Sequence, residues 1–424
     1  MFVKANRVPG RSSRRCIFDI LAGLSRRLGT PLLKTIAAGI ILLACQNSVN
    51  AQLTILHNFG DGTVANDGAD PAGLIQAPNG DFFGATESQA SAPSTKAGTI
   101  FRMTPSGKLV VIHSFGSKFD LSLGPLLYYN GALIGISSGI FTWNLFALTK
   151  TDPGGWHFNN WFNFSPATNG LVFPSDLMLG SDGFLYGTTQ AGGPNGYGTV
   201  FKFDPTSHQL TFVYGFSATD PASEPINPLV EGQDGNFYGA TFELNGAASG
   251  YGGLFQVTPA GQAAFWVFGN PVTGNAGDLK AVGPMIQTRD GTFYGVGAAF
   301  TSPAAQSPGI VFQWSPAGGS SILHSFGQGT DGADPDSTVV QGPNGDLYGV
   351  TPYGGTAGYG IIYEVSTQGN YTILHNFGDG SFPNDGKGPN GPLIVGKEGK
   401  SLYGTTGSGG SAGLGTVFKF SLSP

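Results

Sequence analysis

The sequence predicts an all-β protein, a seven-bladed β-propeller, and three observations carry that expectation. A tight-turn dipeptide followed by an aromatic–glycine pair recurs seven times at a near-constant interval. Each recurrence sits in the same order of four short apolar segments. The chain also enters that order at its fourth segment and leaves it at its third, so its two ends are complementary. A fixed period of about 50 residues marks an array whose units bury their apolar faces only against one another.

The turn pairs are Asn79-Gly80, Asn130-Gly131, Asp182-Gly183, Asp234-Gly235, Asp290-Gly291, Asn344-Gly345 and Glu398-Gly399, spaced by 51, 52, 52, 56, 54 and 54 residues. Asn, Asp and Gly reach the positive φ of a type I′ hairpin turn cheaply, and Glu398 fits that turn least well. The segment before each turn is short, apolar and often opened by proline, as at Pro71, Pro125, Pro228, Pro284 and Pro392. Proline is tolerated at a strand start, where its missing N–H costs least. After the turn come Phe83-Gly84, Tyr186-Gly187, Tyr238-Gly239, Tyr294-Gly295, Tyr348-Gly349 and Tyr403-Gly404, with Ile134-Gly135 as the departure. A glycine-rich loop then leads to a third segment that alternates apolar and polar residues, as in Gly198-Thr199-Val200-Phe201-Lys202-Phe203. That alternation indicates a half-buried strand. The fourth segment closes each unit, as in Val110–Phe115, Thr211–Phe216, Ser321–Phe326 and Thr372–Phe377.

Four strands in each of seven units make the propeller. The first such segment, Leu53–Phe59, is a fourth strand without its own first three. The N-terminal strand is therefore expected to join the last blade and close the ring, which removes the free edges of an open array. Because successive strands run antiparallel, the tight turns share one face. The glycine loops and the blade-crossing loops share the other. Function concentrates on long loops held by a rigid scaffold, so the long-loop face is where a site is expected.

Composition agrees with short, tightly turned strands. Glycine accounts for 70 of 424 residues, aromatics for 12% and charged residues for only 11%. Residues 1–34 carry eight basic side chains and one acid, which leaves 12 basic and 25 acidic residues in the rest. Those remaining cations are scattered, so no nucleic-acid partner is expected. Residues 1–51 read as a leader, with the apolar run Thr35–Cys45 as a signal-peptide core too short to span a bilayer. Cleavage is expected after Ala51. A lipoprotein-like box at Leu42–Cys45 offers Cys45 as an alternative lipid anchor. Residues 52–424 then form a single propeller domain with no transmembrane helix, exported to the periplasm, cell surface or medium. Both cysteines, Cys16 and Cys45, lie in the leader, so the exported chain has no disulfide and no thiol chemistry.

The motifs Tyr-Gly-Thr-Thr at Tyr186–Thr189 and Tyr403–Thr406, Gly-Thr-Val-Phe-Lys at Gly198 and Gly415, and Leu-His-x-Phe at Leu56, Leu323 and Leu374 resemble those of the GloVer tandem-repeat proteins of bacteria. The resemblance covers about residues 53–424. It implies an exported, surface-associated or extracellular repeat protein, often with a C-terminal anchor. This chain stops directly after its last strand at Pro424, and no such anchor is expected. The resemblance brings no activity and no catalytic residues.

Candidate sites follow from residue type. His57, His113, His324 and His375 share one position of the fourth strand that is Phe162, Tyr214 or Trp266 elsewhere, which reads as a packing slot. The crossing loops are acidic: Asp61, Asp67 and Asp70 in one, Asp331, Asp334 and Asp336 in another. These six are candidate calcium ligands, since calcium takes six to eight oxygens from carboxylates and carbonyls. No other cofactor is expected. The tyrosines of the aromatic–glycine pairs read as inter-blade packing. No nucleotide loop and no nucleophile elbow is present. The sequence thus favours a non-catalytic binding module for a glycan or protein at the cell surface. The alternatives are a carboxylate-dependent glycan lyase or hydrolase, which needs paired acids at a set separation, and a structural envelope protein.

Overall fold

A computed structural model describes residues 53–88, 98–116, 121–138, 142–151, 155–167, 169–244, 253–267, 279–299, 309–327 and 330–422. The leader, with Cys16, Cys45 and the expected cleavage site, lies outside them. Leu53–Pro424 forms one compact unit. Its regular elements are all strands, arranged as seven antiparallel sheets. No described helix is long and apolar enough to cross a membrane.

The first blade shows the pattern: Ala69–Gln76, Phe82–Ser88, Thr99–Met103 and Leu109–Ser114, each paired with the next in sequence. In the third and fourth blades the innermost strand is split, into Val172–Pro174 with Met178–Leu179 and Ala222–Pro225 with Val230–Glu231. The seventh sheet takes Lys387–Val395, Ser401–Ser408 and Thr416–Ser421 from the end of the chain, and Leu53–Asn58 from its start. The register runs from Leu53↔Phe420 to Asn58↔Thr416.

Packing is between blades. Seven apolar clusters are present, and each draws its buried residues from two neighbouring sheets. One of them joins Phe59, Tyr403 and Val417 of the seventh blade to Leu74, Phe82 and Phe101 of the first. Seven sheets in an open row have six interfaces. The seventh makes this a seven-bladed propeller.

The aromatic–glycine pair builds these interfaces in two directions. The ring packs on the next blade, as Tyr186 does on Phe237 (centroids 4.1 Å apart) and Tyr403 on Phe82 (4.5 Å). Its hydroxyl donates to an acid at the turn, Asp182 for Tyr186 and Asp234 for Tyr238, both at 2.8 Å. The glycine admits a phenylalanine of its own third strand. A Cβ on Gly404 would lie 2.6 Å from Phe418 Cζ, and one on Gly239 2.5 Å from Phe255 Cζ.

The turns differ from expectation. Only Asn130 has positive φ among the non-glycine members of the turn pairs (48°, followed by Gly131 at 88°). In six other blades the glycine alone is left-handed and its N–H closes the turn onto the residue three back, as Gly80 does onto Ala77. This is a type I turn with a glycine bulge. Asn and Asp are used there for their side-chain oxygen, which accepts the N–H two residues on: Asn79 from Asp81, Asp290 from Thr292. That is the Asx-turn contribution rather than tolerance of positive φ.

Gly404→Ala is expected to cost about 1–3 kcal/mol through overpacking against Phe418. Denaturant unfolding measures it, and an unchanged midpoint would remove the steric account of the aromatic–glycine pair.

Candidate functional site

The crossing loops are pinned before they can present anything. Asp67, fully buried, lies 2.8 Å from His57 Nε2 and accepts the Gly60 N–H. The arrangement repeats with Asp331 on His324 (3.2 Å) and the Gly327 N–H, and with Asp385 on His375 (2.9 Å) and the Gly378 N–H. In a fourth place Tyr214 pairs with Asp220, which also takes the Ser217 N–H. The recurrent histidine is therefore more than the packing slot read from the sequence. It packs at right angles on the strand's phenylalanine and also ties down the next loop's aspartate. His113 stacks on Phe158 instead, at 4.7 Å. His324 lies flat on Tyr371, and burial pushes its imidazole down despite the Asp331 charge.

The six candidate calcium ligands separate into three environments. Asp61 is exposed and accepts from the Thr63 N–H and hydroxyl. Asp67 and Asp331 are engaged by histidine and backbone as above. Asp70, Asp334 and Asp336 stand where the crossing chain enters the innermost strand. Asp70 and Asp334 are left-handed, at φ 57° and 59°. Asp70 accepts from Asn390 of the seventh blade at 3.4 Å, and burial pushes its carboxyl up. Burial also raises Asp334. Burial, with the Asp334 charge added, pushes Asp336 up to about 6. Among the described residues no three His, Cys, Asp or Glu are grouped to hold a metal ion.

Two features, one on an innermost strand and one on a third strand, have no sequence signal. Asp176 sits between the two halves of the third blade's inner strand and faces Gly124 of the second. A Cβ on Gly124 would lie 2.0 Å from its Oδ1. Burial pushes this carboxyl up to about 7. The sixth blade carries Tyr363 where the other six carry Phe101, Phe146, Phe201, Phe255, Phe312 and Phe418. Its hydroxyl points at Gly349 and, like Ser337 Oγ, is buried without a hydrogen-bond partner.

The long-loop face also carries exposed rings: Phe173 (55% accessible), Tyr197 (39%), Tyr353 (47%) and Tyr359 (43%). Tyr197 and Tyr359 end glycine loops, and their carbonyls accept the N–H of Glu224 and Gly388 in the following blade. The rings are thus carried on loops fixed across blade boundaries. A shallow depression of about 470 Å³ lies on the opposite, tight-turn face, lined by Ser181, Glu231, Gln233, Gln287, Thr288 and Arg289. Its polar groups mostly serve the seam between blades. Ser181 donates to Glu231, and Gln233 donates from its N–H to Gln287 and from its amide to the Thr288 carbonyl.

A profile of the Gloeobacter/Verrucomicrobia repeat matches residues 95–296 and 280–424. The chain belongs to this repeat family. No curated protein matches it. Among solved structures it is similar to the extracellular domain of a candidate one component system from B. thetaiotaomicron, at 12% identity and a TM-score of 0.51, over 86% of this chain and 40% of that one. It is also similar to a candidate 6-phosphogluconolactonase from Bacteroides uniformis (13%, 0.47, 71% and 83%) and to a gluconolactonase from Xanthomonas campestris (10%, 0.42, 89% and 92%). At such identities the likeness is one of fold.

Two outcomes are expected. The Asp176 carboxyl is raised above its unfolded value, so its neutral form favours the folded state. Its contribution to stability is full below about pH 4, declines as pH climbs toward 7 and is flat beyond. Asp176→Asn should abolish that decline and gain on the order of 2–4 kcal/mol at pH 8, read from denaturant unfolding across pH. Tyr363→Phe removes a buried hydroxyl with no partner and should raise stability by about 1 kcal/mol, seen as a higher melting temperature.

Proposed function

We propose that the chain is a non-catalytic binding module that engages a glycan or protein ligand outside the cell with its long-loop face. The observation that carries this reading is the placement of Phe173, Tyr197, Tyr353 and Tyr359. These are four of the seven exposed large apolar side chains among the described residues, and all four project from that one face. Exposed aromatics at rigid positions present an apolar body and a polar tip, which suits both sugar faces and protein surfaces. The loops beneath them are pinned by the aspartate pairs and by inter-blade backbone bonds, so a ligand meets a surface whose ordering cost is already met.

The carboxylate-dependent lyase or hydrolase is supported by Asp334 and Asp336, whose carboxyls are both raised. They come from a single blade, and the cross-blade partner of Asp70 is an amide, Asn390.

The test is binding of the purified chain to a panel of neutral, acidic and amino oligosaccharides and of acidic and basic peptides, followed by calorimetry. The Tyr353→Ala, Tyr359→Ala double variant should keep its melting temperature and lose affinity at least about tenfold. Loss on Arg289→Ala with the tyrosine variant unaffected would move the site to the tight-turn face. Shortening of a bound polysaccharide would favour the enzyme.

A further inference from the structure

The tight-turn face is divided in charge. Three of its cations meet acids beside them: Arg102 on Asp81, Lys202 on Asp182 and Lys419 on Glu398. The charges left over after those pairs do not mix. Lys108 and Lys150 stand at the tight-turn ends of the first and second blades, and Lys397 and Lys400 flank the turn of the seventh. None of these four makes an ion pair among the described residues. No described acid is left over in this sector, and the sequence adds only Asp152, which lies outside the described residues. The other four blades are the reverse. Asp204 of the third, Glu231 and Asp234 of the fourth, Asp290 of the fifth, and Asp346 and Glu364 of the sixth make no described ion pair, against one such cation, Arg289.

These charges are presented to solvent rather than withdrawn from it. Lys108, Lys150, Lys397, Lys400, Asp234 and Asp290 are exposed, and the other four acids are half-buried. The acids hold hydrogen bonds but no counter-ion: Glu231 accepts from Ser181, and Glu364 accepts from Asn344 and the Tyr348 hydroxyl. Asp346 shows the excess directly, since burial and the neighbouring Glu364 charge both push its carboxyl up. Relief follows the same division. The depression of about 470 Å³ lies wholly in the acidic sector, across the third, fourth and fifth blades. The exposed Leu179 stands two residues before Ser181 of its lining.

A two-fold axis lying in the plane of this face lays it on a copy of itself and reverses the order of the blades. Set the first blade, the middle of the basic sector, over the copy's seam between the fourth and fifth blades. The seventh blade then falls over the seam of the fifth and sixth, and the second over that of the third and fourth. Every leftover lysine meets the acidic sector, and by symmetry each meeting occurs twice. We infer that the chain pairs with a second copy of itself through the tight-turn faces, basic sector on acidic sector. An isologous patch has to be complementary to itself, and the division of charge supplies that. A separate anionic partner would use the basic sector alone and be repelled by the rest of the face. In the pair both long-loop faces point away from the interface, so one dimer grips a repeating ligand at two places. The inference stands whatever the long-loop face binds.

The test is sedimentation equilibrium of the purified chain. Single exposed ion pairs contribute little, so the association rests on their number and weakens with salt. A dimer is expected at low ionic strength, with a dissociation constant that rises at least about tenfold between about 0.03 and 0.5 M salt. The Lys397→Glu, Lys400→Glu double variant should associate at least about tenfold more weakly, and Asp346→Lys several-fold more weakly. An equal mixture of these two variants should associate more tightly than either alone, because each reversed patch then meets the other. Lys387→Glu on the long-loop side should change nothing. The Lys397 and Lys400 side chains are exposed and unpaired among the described residues, so their variant should melt with the parent, which separates lost pairing from lost folding. A monomer at low salt overturns the inference, as do variants that associate like the parent and a mixture no tighter than its parts. Growth beyond the dimer into longer assemblies overturns the two-fold arrangement. A labelled oligoglutamate peptide bound by a chain that stays monomeric would assign the basic sector to an anionic partner and overturn the pairing.

Discussion

An aromatic ring of each third strand, phenylalanine in six blades and Tyr363 in the sixth, resting on a glycine of the second is the contact that the rest of this molecule depends on. With no Cβ at Gly404 or Gly239, Phe418 and Phe255 can lie across the sheet, where a methyl group would stand within 2.6 Å of the ring. The ring so placed fills the wedge between blades, and the tyrosine beside the glycine reaches the next blade from the same strand. Close packing of this kind leaves little room for a changed residue. It also explains why glycine recurs here at ordinary strand dihedrals: the constraint is volume, not φ.

The fold was legible because the alternation, the glycines and the repeat interval all speak of local geometry. The chemistry of the turns was legible only in part. Asn and Asp occupy the expected positions, but they act through a side-chain oxygen that composition does not reveal. The histidine–aspartate pairs escaped because each crosses from a strand to a loop, over separations of 10, 7 and 10 residues. The histidines and the aspartates were each visible as a repeat, but nothing in the sequence joined them. Asp176 and Tyr363 could not be read at all. What makes Asp176 unusual is Gly124 in another blade, and what makes Tyr363 unusual is that six other blades hold phenylalanine at its position.

Scaffold and surface share their acids. Asp67, Asp331 and Asp385 are consumed in holding loops, while Asp334 and Asp336, a few residues further along one of the same loops, make no ion pair among the described residues. The tight-turn face resolves part of its charge locally, as Arg102 does with Asp81 at 2.6 Å.

The pairing of Leu53–Asn58 with Thr416–Ser421 has a consequence for how the protein comes into being. The first stretch of the ring to leave the ribosome has no partner until almost the last residues have been made. A nascent chain holding six complete sheets still presents two bare edges, and such edges invite pairing with other chains. Completion is therefore a late, all-at-once event in the life of each molecule, governed by the most distant contact the chain makes.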